Sequence, residues 1–452
     1  MDKAQLFAKA KEKRPLMEAA FDYMLTHPET GFREWKATAY LAAEYEKLGY
    51  KPRLAGDIPG FVIDIDTGRV GPKLLILGEL DGLPVPGHPH EDPETHAAHA
   101  CGHNAQSAVL LGLAALLAEP GALDGLCGSI RLCAVPAEEL VEHSFRESLR
   151  QSGTIRYFGG KQEFLYRGYF DDCDLAFLIH TGGGKHNFWI NSGANGCILK
   201  KAVFTGKAAH AATPSCGVNA LDAASLALQA IHALRSTFPE MNYTRVHPIL
   251  TEAGTAVNSI PGKVVMENLV RAANIKACSA VNARVNRAVA AAAAAVGAKV
   301  HLSDRPGYLP ATYDDNLCKL AIEVFSEVVG ADKAVYNCSK AKWETGCTDM
   351  ADIAAVMPAL HCYGSGSVGV GHSPEYAVMD FDSALDDSLV AQYLLLTRLL
   401  QDDAAKAKFI LANAKVQFPN RADYFAHLDS IFDERDAVLY TEGENRVTLN
   451  LK

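Results

Sequence analysis

Between Lys73 and Leu117 the chain passes from an apolar run of strand length, Lys73–Leu80, through a loop rich in Pro, Gly and His, into the Ala- and Leu-rich segment Ala105–Leu117. The first reads as a strand and the second as a buried helix. The same alternation recurs along the chain. Phe61–Ile65, Ser129–Val135 and Asp174–Ile179 read as further strands, and residues 4–26 and 34–48 have helical spacing. Strands alternating with helices predict an α/β fold around a mixed, largely parallel sheet. In such sheets ligands gather beyond the carboxyl ends of the strands. Asp81, Pro136-Ala-Glu138-Glu139 and His180 each sit just past a predicted strand, so three polar clusters at equivalent ends predict a site.

The stretch His99-Ala-Cys101-Gly-His103-Asn104 opens the buried helix. A thiolate and an imidazole two residues apart at a strand-to-helix junction can point at one spot. The helix N-terminus stabilises the thiolate, and Cys with His is a ligand set for zinc-like divalent ions.

A second rhythm begins near residue 194. Cys197–Thr205 reads as a strand, Val218–Leu234 as a helix, Val246–Glu252 and Val264–Arg271 as strands, Ala277–Val296 as an Ala-rich helix and Lys299–Leu302 as a closing strand. That order, βαββαβ, predicts a split-βαβ (ferredoxin-like) sandwich inserted at 194–305, between a first α/β part at 1–193 and a second at 306–452. An edge strand left free in the inserted sheet invites pairing, which predicts a homodimer through this domain. From 306 the α/β pattern resumes with helix 315–329, a helix near 349–356, strand Ala359–Tyr363, a loop ending at His372-Ser-Pro-Glu375, and helix 382–400. The tail from 401 reads as an extension with charged helices and a β-rich end.

Composition narrows the function classes. A chain of 452 residues with 49% hydrophobic and 21% charged residues is ordinary for a globular protein of two or three domains. The net charge of −10 disfavours nucleic acid and anionic membranes as partners. The start Met-Asp-Lys-Ala-Gln lacks the basic-then-apolar pattern of a signal peptide, and no uncharged apolar stretch reaches the roughly 20 residues of a membrane span. Eleven scattered cysteines suit reduced thiols in a cytoplasm.

Eight ordered motifs carry a family resemblance: His27-Pro-Glu-Thr-Gly-Phe-Arg-Glu34, Glu79-Leu-Asp-Gly-Leu-Pro84, His99–Asn104, Pro136-Ala-Glu-Glu139, Gly206-Lys-Ala-Ala-His-Ala-Ala-Thr-Pro214, Asn258-Ser-Ile-Pro261, Gly346-Cys-Thr-Asp349 and Gly371-His-Ser-Pro-Glu375. Over roughly residues 20–400 the chain resembles the dinuclear-metal amidohydrolases and peptidases that include glutamate carboxypeptidases, aminoacylases and hippurate hydrolases. Within them it is similar to the subgroup with Cys in the metal site, which includes aminobenzoyl-glutamate hydrolase. The resemblance implies two divalent ions per chain, zinc first, with manganese, cobalt or nickel as alternatives. It implies Cys101 as a bridging ligand, His103, Glu139, His180 and His372 as the other ligands, and Glu138 as general base. Asp81 corresponds to a carboxylate that orients a ligand histidine. From the inserted domain, His210 corresponds to a residue that stabilises the oxyanion in the partner's site, and Asn258 and Arg271 to residues near the substrate's carboxylate and carbonyl.

The chain also departs from the pattern. Asn104 replaces an Asp of the hippurate-hydrolase branch, and His180 is followed by Thr-Gly-Gly-Gly. Val141–Gly159 is longer than the usual turn and carries Glu142, His143, Arg146, Glu147, Arg150 and Arg156; lying beside Glu138, it reads as a place of substrate selection. The expected activity is hydrolysis of the amide of an N-acyl amino acid, aminobenzoyl-glutamate or dipeptide-like compound. The alternatives are an exopeptidase acting on true peptides, a Cys101 thiol hydrolase, and a silent subunit of the same fold. The intact ligand set and Glu138 speak against the last two.

Overall fold

The computed structural model describes residues 2–338, 343–442 and 446–451. The chain divides into two compact units, one comprising Met1–Gly193, Thr312–Lys342 and Thr348–Pro419, the other Ala194–Ala311, Trp343–Cys347 and Asn420–Lys452.

The first unit is built on an eight-stranded sheet. Its centre runs Ser129–Val135, Lys73–Glu79, Leu175–Thr181, Ala359–Gly364, all mutually parallel. Phe61–Asp66 joins one side antiparallel, and Phe188–Asn191 joins the other antiparallel to Ala359–Gly364. The predicted α/β class with a mixed, largely parallel sheet is what forms. The apolar run at residues 74–79 is buried throughout because neighbours cover both faces. Helix His103–Leu117 is buried along its whole length, as a helix apolar all round must be, and packs on strands Lys73–Glu79 and Leu175–Thr181. The two helices Lys3–Thr26 and Ser388–Asn413 pack against it in turn. The parallel strands all end on the side where Asp81, Glu138 and Glu139 follow and where His180 stands next to last in its strand.

The second unit holds an antiparallel sheet in the order Arg245–Val246, Lys263–Ala272, Gly196–Thr205, Lys299–Pro306, Asp433–Asp436, with Ile249–Glu252 also paired to Lys263–Ala272. Helices Ala220–Leu234 and Ile275–Ala295 pack together through small residues, among them Ala223, Ala227, Val285 and Val289. The tail contributes here. Strand Asp433–Asp436 pairs with Lys299–Pro306, Leu302 opposite Arg435, so that edge of the sheet is covered by the chain's own end. The outer edge on the other side is Arg245–Val246 and Ile249–Glu252, irregular between Leu250 and Glu252, with Ile249 exposed.

Among the described residues no helix is long and apolar enough to cross a membrane, and all eleven cysteines are outside disulfides.

Candidate metal centre

Helix His103–Leu117 opens on Gly102, whose φ is 86°. A Cβ there would lie 2.5 Å from the Tyr376 hydroxyl and 2.9 Å from the Thr181 carbonyl oxygen. Glycine therefore makes the turn between Cys101 and His103 possible, both by its left-handed backbone and by its size. The fully buried His103 donates from Nδ1 to the Asp81 carbonyl at 2.8 Å, the accepting oxygen fixing which nitrogen carries the proton. That leaves Nε2 as the candidate ligating atom. Asp81 Oδ2 accepts the Glu139 backbone N–H at 2.8 Å, so one residue orients two candidate ligands.

The ligand atoms of Cys101, His103 and His180 lie within 4.8 Å of one another, and so do those of Cys101, Glu139 and His372. Cys101 Sγ is 3.4 Å from His180 Nε2, and His372 Nε2 is 3.1 Å from Glu139 Oε1. The two triads share Cys101. His372 holds a φ of 65° while its N–H donates to the Ala100 carbonyl at 2.8 Å, which ties its loop to the Cys101 segment. Buried His103 Nε2 faces Glu79 Oε2 at 3.2 Å, and buried Glu139 Oε1 faces His372 Nε2 at 3.1 Å. Nitrogen and oxygen donors gathered around one sulfur fit divalent cations well. Burial opposes ionisation of Cys101, yet the charges of His103 and His180 hold its thiol well below the ordinary value. Hydrogen bonds to Cys101 and Glu139 push His372 up to about 11 against the effect of burial. Burial and then the neighbouring carboxylates Glu79, Glu139 and Asp349 push Glu138 well above the carboxylate range. A pocket this rich in anionic groups attracts cations.

The turn that carries Glu138 and Glu139 is held from several directions. Ala137 has a φ of 59°, a conformation most side chains avoid. Its N–H donates to the buried Glu34 Oε1 at 2.7 Å, and its carbonyl accepts from Gly160 N–H at 3.1 Å. Arg146, fully buried, donates to the carbonyls of Ala137 (3.3 Å), Phe158 and Glu139. Gly31 makes room for it: a Cβ there would lie 2.3 Å from Arg146 Nη2 and 2.9 Å from Ala137 Cα. The motif His27–Glu34 thus buttresses the turn through Gly31 and Glu34. This revises the reading of residues 141–159. Arg146 is spent on carbonyl oxygens, Glu142 on Thr30 and Arg33, and Arg150 on Glu147. Most of the segment's charges shape the turn and its surroundings, and Arg146 is sealed away from any substrate.

Sequence reasoning also passed over a buried cluster behind Glu138. Lys161 Nζ donates to Glu79 Oε1 and Asp349 Oδ1, each at 2.5 Å, and all three side chains are fully buried. The signal available was Glu79 and Asp349 inside recognised motifs and Gly160-Lys161 after the insertion, but nothing local pairs them.

His210, Asn258 and Arg271 belong to the second unit. His210 pairs in register with Ser259 in the short two-stranded element Ala209–His210 and Ser259–Ile260, and the carbonyl of Asn258, the residue just before the second strand, accepts from Ala211 N–H at 2.9 Å. His210 is exposed, with Nδ1 accepting from Ala212 N–H. Arg271 stands opposite Cys197 in the sheet, its charge felt by the Cys197 and Cys347 thiols, and its buried Nε lacks a hydrogen-bond partner.

Residues 75–402 match the pattern described as Peptidase family M20/M25/M40. The chain belongs to that family. It is 30% identical over 325 residues to a Xaa-Arg dipeptidase of Mus musculus, covering 68% of this chain and 65% of that protein. It is 30% identical over 281 residues to one component of the p-aminobenzoyl-glutamate hydrolase of Escherichia coli, covering 58% and 60%. The chain therefore spans slightly under two thirds of these two relatives. A Bacillus subtilis structure described as a dinuclear metal-binding peptidase of the M20 family superposes with a TM-score of 0.61 at 19% identity, over 86% of this chain and 98% of that one, which shows the shared fold. The M20 chain is an enzyme of the amidohydrolase and peptidase class, as its motifs imply, and its clustered donors suit divalent metal ions.

Proposed function

We propose that this M20 protein hydrolyses the amide bond of N-acyl amino acids or of aminobenzoyl-glutamate and dipeptide-like compounds, releasing an amino acid. The observation that carries the reading is the pair of ligand triads sharing Cys101. Cys101 would serve both positions as a thiolate, His103 and His180 would complete one, and Glu139 and His372 the other. Mixed sulfur, nitrogen and oxygen donors favour zinc, with manganese, cobalt or nickel as alternatives. When bound, two such ions would activate a shared water and polarise the amide carbonyl.

The chain's own residues supply the rest. Glu138 takes the proton of the attacking water and passes it to the leaving amine. Asp81 keeps His103 and Glu139 aimed while charge redistributes. His210 donates to the oxyanion, Asn258 holds the carbonyl side, and the Arg271 guanidinium fork receives the substrate's carboxylate. In this reading the working unit is a homodimer through the 194–305 domain, with His210 acting in the partner's site, in a cytoplasm that keeps the cysteines reduced. The outer sheet edge at Ile249–Glu252 supports pairing there.

The likeness to a dipeptidase favours a second reading, cleavage of true dipeptides. Amino-acid release from a panel of N-acetyl and N-benzoyl amino acids, aminobenzoyl-glutamate and dipeptides, with zinc or manganese added, tests both. Turnover of the acyl compounds supports the first, turnover of dipeptides alone supports the second, and no turnover of any removes both.

A further inference from the structure

Three groups of ligand atoms in the first unit include carboxylates close enough to hold an ion; two of them lack Cys101, His103 with Glu138 and Glu139, and a group made of carboxylates alone. Oxygens of Glu79, Glu138 and Asp349 lie within 4.8 Å of one another. Unlike the Cys101 triads, this group already contains a cation. The ammonium of Lys161 sits 2.5 Å from both Glu79 Oε1 and Asp349 Oδ1. Lys161 also donates its backbone N–H to Asp349 Oδ2 at 2.8 Å, so Asp349 grips the residue at two points. The neighbouring residue, Gly160, donates to the Ala137 carbonyl at 3.1 Å, one residue before Glu138. The other oxygen of Glu79, Oε2, is 3.2 Å from His103 Nε2, the nitrogen that faces the candidate metal position.

Three buried carboxylates cannot all stay ionised in a small volume without a counter-charge. A divalent ion would serve as well as an ammonium, and would take Glu138 as a ligand. We propose that Lys161 is a positioning residue: its ammonium is a resident cation that fills the three-carboxylate group, excludes a divalent ion from it, and so keeps Glu138 as a base. This rests on the assignment of Glu138 as base, but the metal count that tests it does not.

The test compares wild type with Lys161→Met, which keeps length and apolar bulk while removing the charge. Each protein is stripped, reduced, dialysed to equilibrium against zinc or manganese chloride, and analysed for metal; kcat and KM are then measured on the best substrate of the panel. Lys161→Met is expected to bind one more equivalent of metal than wild type and to lose at least about 10-fold in kcat at unchanged KM. The same metal count as wild type overturns the proposal, whatever that count is. Wild type with no metal and no turnover would sink the hydrolase reading, while a gain of one equivalent in the variant would still uphold the role of Lys161. Should Lys161→Met fail to fold, Lys161→Gln, which keeps a hydrogen-bonding head without the charge, is analysed for metal in the same way: one more equivalent than wild type supports the proposal, and the same count overturns it.

Discussion

Replacing Arg146 by Met removes the clamp on the Glu138–Glu139 turn while nearly keeping side-chain volume. In the native protein the guanidinium donates to three buried carbonyls, those of Ala137, Phe158 and Glu139, and lies 5.4 Å over the Phe32 ring. Hydrogen bonds from a charged donor contribute roughly 1.5–3 kcal/mol each, about 5–9 kcal/mol gross for three. Burying the guanidinium costs several kcal/mol in return, and its Nε has no partner, so the net loss on substitution is about 3–5 kcal/mol. Urea unfolding of the stripped protein, followed by far-UV circular dichroism, measures it without a contribution from metal linkage. Because the carbonyls on both sides of Glu138 lose their donor, kcat should also fall at constant protein concentration. Gly31→Ala supplies the complementary perturbation, since its Cβ would meet Arg146 Nη2 at 2.3 Å. In the Arg146→Met background that clash is relieved in part, and the cycle should show a coupling of about 1–3 kcal/mol. An Arg146→Met protein that unfolds within about 0.5 kcal/mol of wild type, with unchanged kcat, would refute the clamp.

Other consequences are equally direct. Glu138→Gln should retain bound metal while kcat drops by a factor of order 10² or more, whereas Glu139→Gln should lose metal; identical behaviour of the two would undo the assignment. Mixing His210→Ala with Glu138→Gln chains should restore activity, up to about a quarter of wild type under random exchange (half the dimers mixed, one good site in two), and no recovery despite proven exchange would place His210 outside the partner's site. Arg131 pairs with Asp64 at 2.8 Å and Asp172 at 2.5 Å, and although burial opposes it, Lys73 first and then Arg131 for Asp172, and Arg131 with Lys73 for Asp64, hold both carboxyls below their ordinary value of 3.8. A depressed carboxylate stabilises above the unfolded value and ceases to as pH falls through the folded one. The stability gap between wild type and Arg131→Gln should thus be full near neutrality and close below pH 3.8; a gap independent of pH would contradict this.

The proposed ligands could be picked out because each sits in a short motif, most of them close to a strand end. Cys101, Gly102 and His103 need only one turn to converge, Glu138 and Glu139 follow a strand whose apolar run announces them, and His180 stands next to last in another. Arg146 and Lys161 were illegible for the opposite reason. Both lie in or beside polar segments, where a charge usually reads as solvated, and their burial is decided by partners up to 188 residues away. Glu34 behaves likewise: its motif was recognised, but its contact with Ala137 N–H spans 103 residues. The pairing of the tail was illegible for a third reason. Asp433-Glu-Arg-Asp436 is too charged and short to read as a strand, yet backbone pairing along the exposed edge of Lys299–Pro306 needs no apolar face.

Elemental analysis of the reduced protein, as isolated and after equilibrium dialysis against zinc, tests the central claim most directly. Two divalent ions per chain are expected in wild type, with Cys101→Ser weakening both because its sulfur belongs to both triads. Reduction matters, since oxidation of Cys101 would empty the site by itself. Stoichiometric metal lost jointly from both positions in the Cys101 variant supports a shared thiolate; a wild-type protein that binds no metal and keeps its turnover in chelator would contradict it.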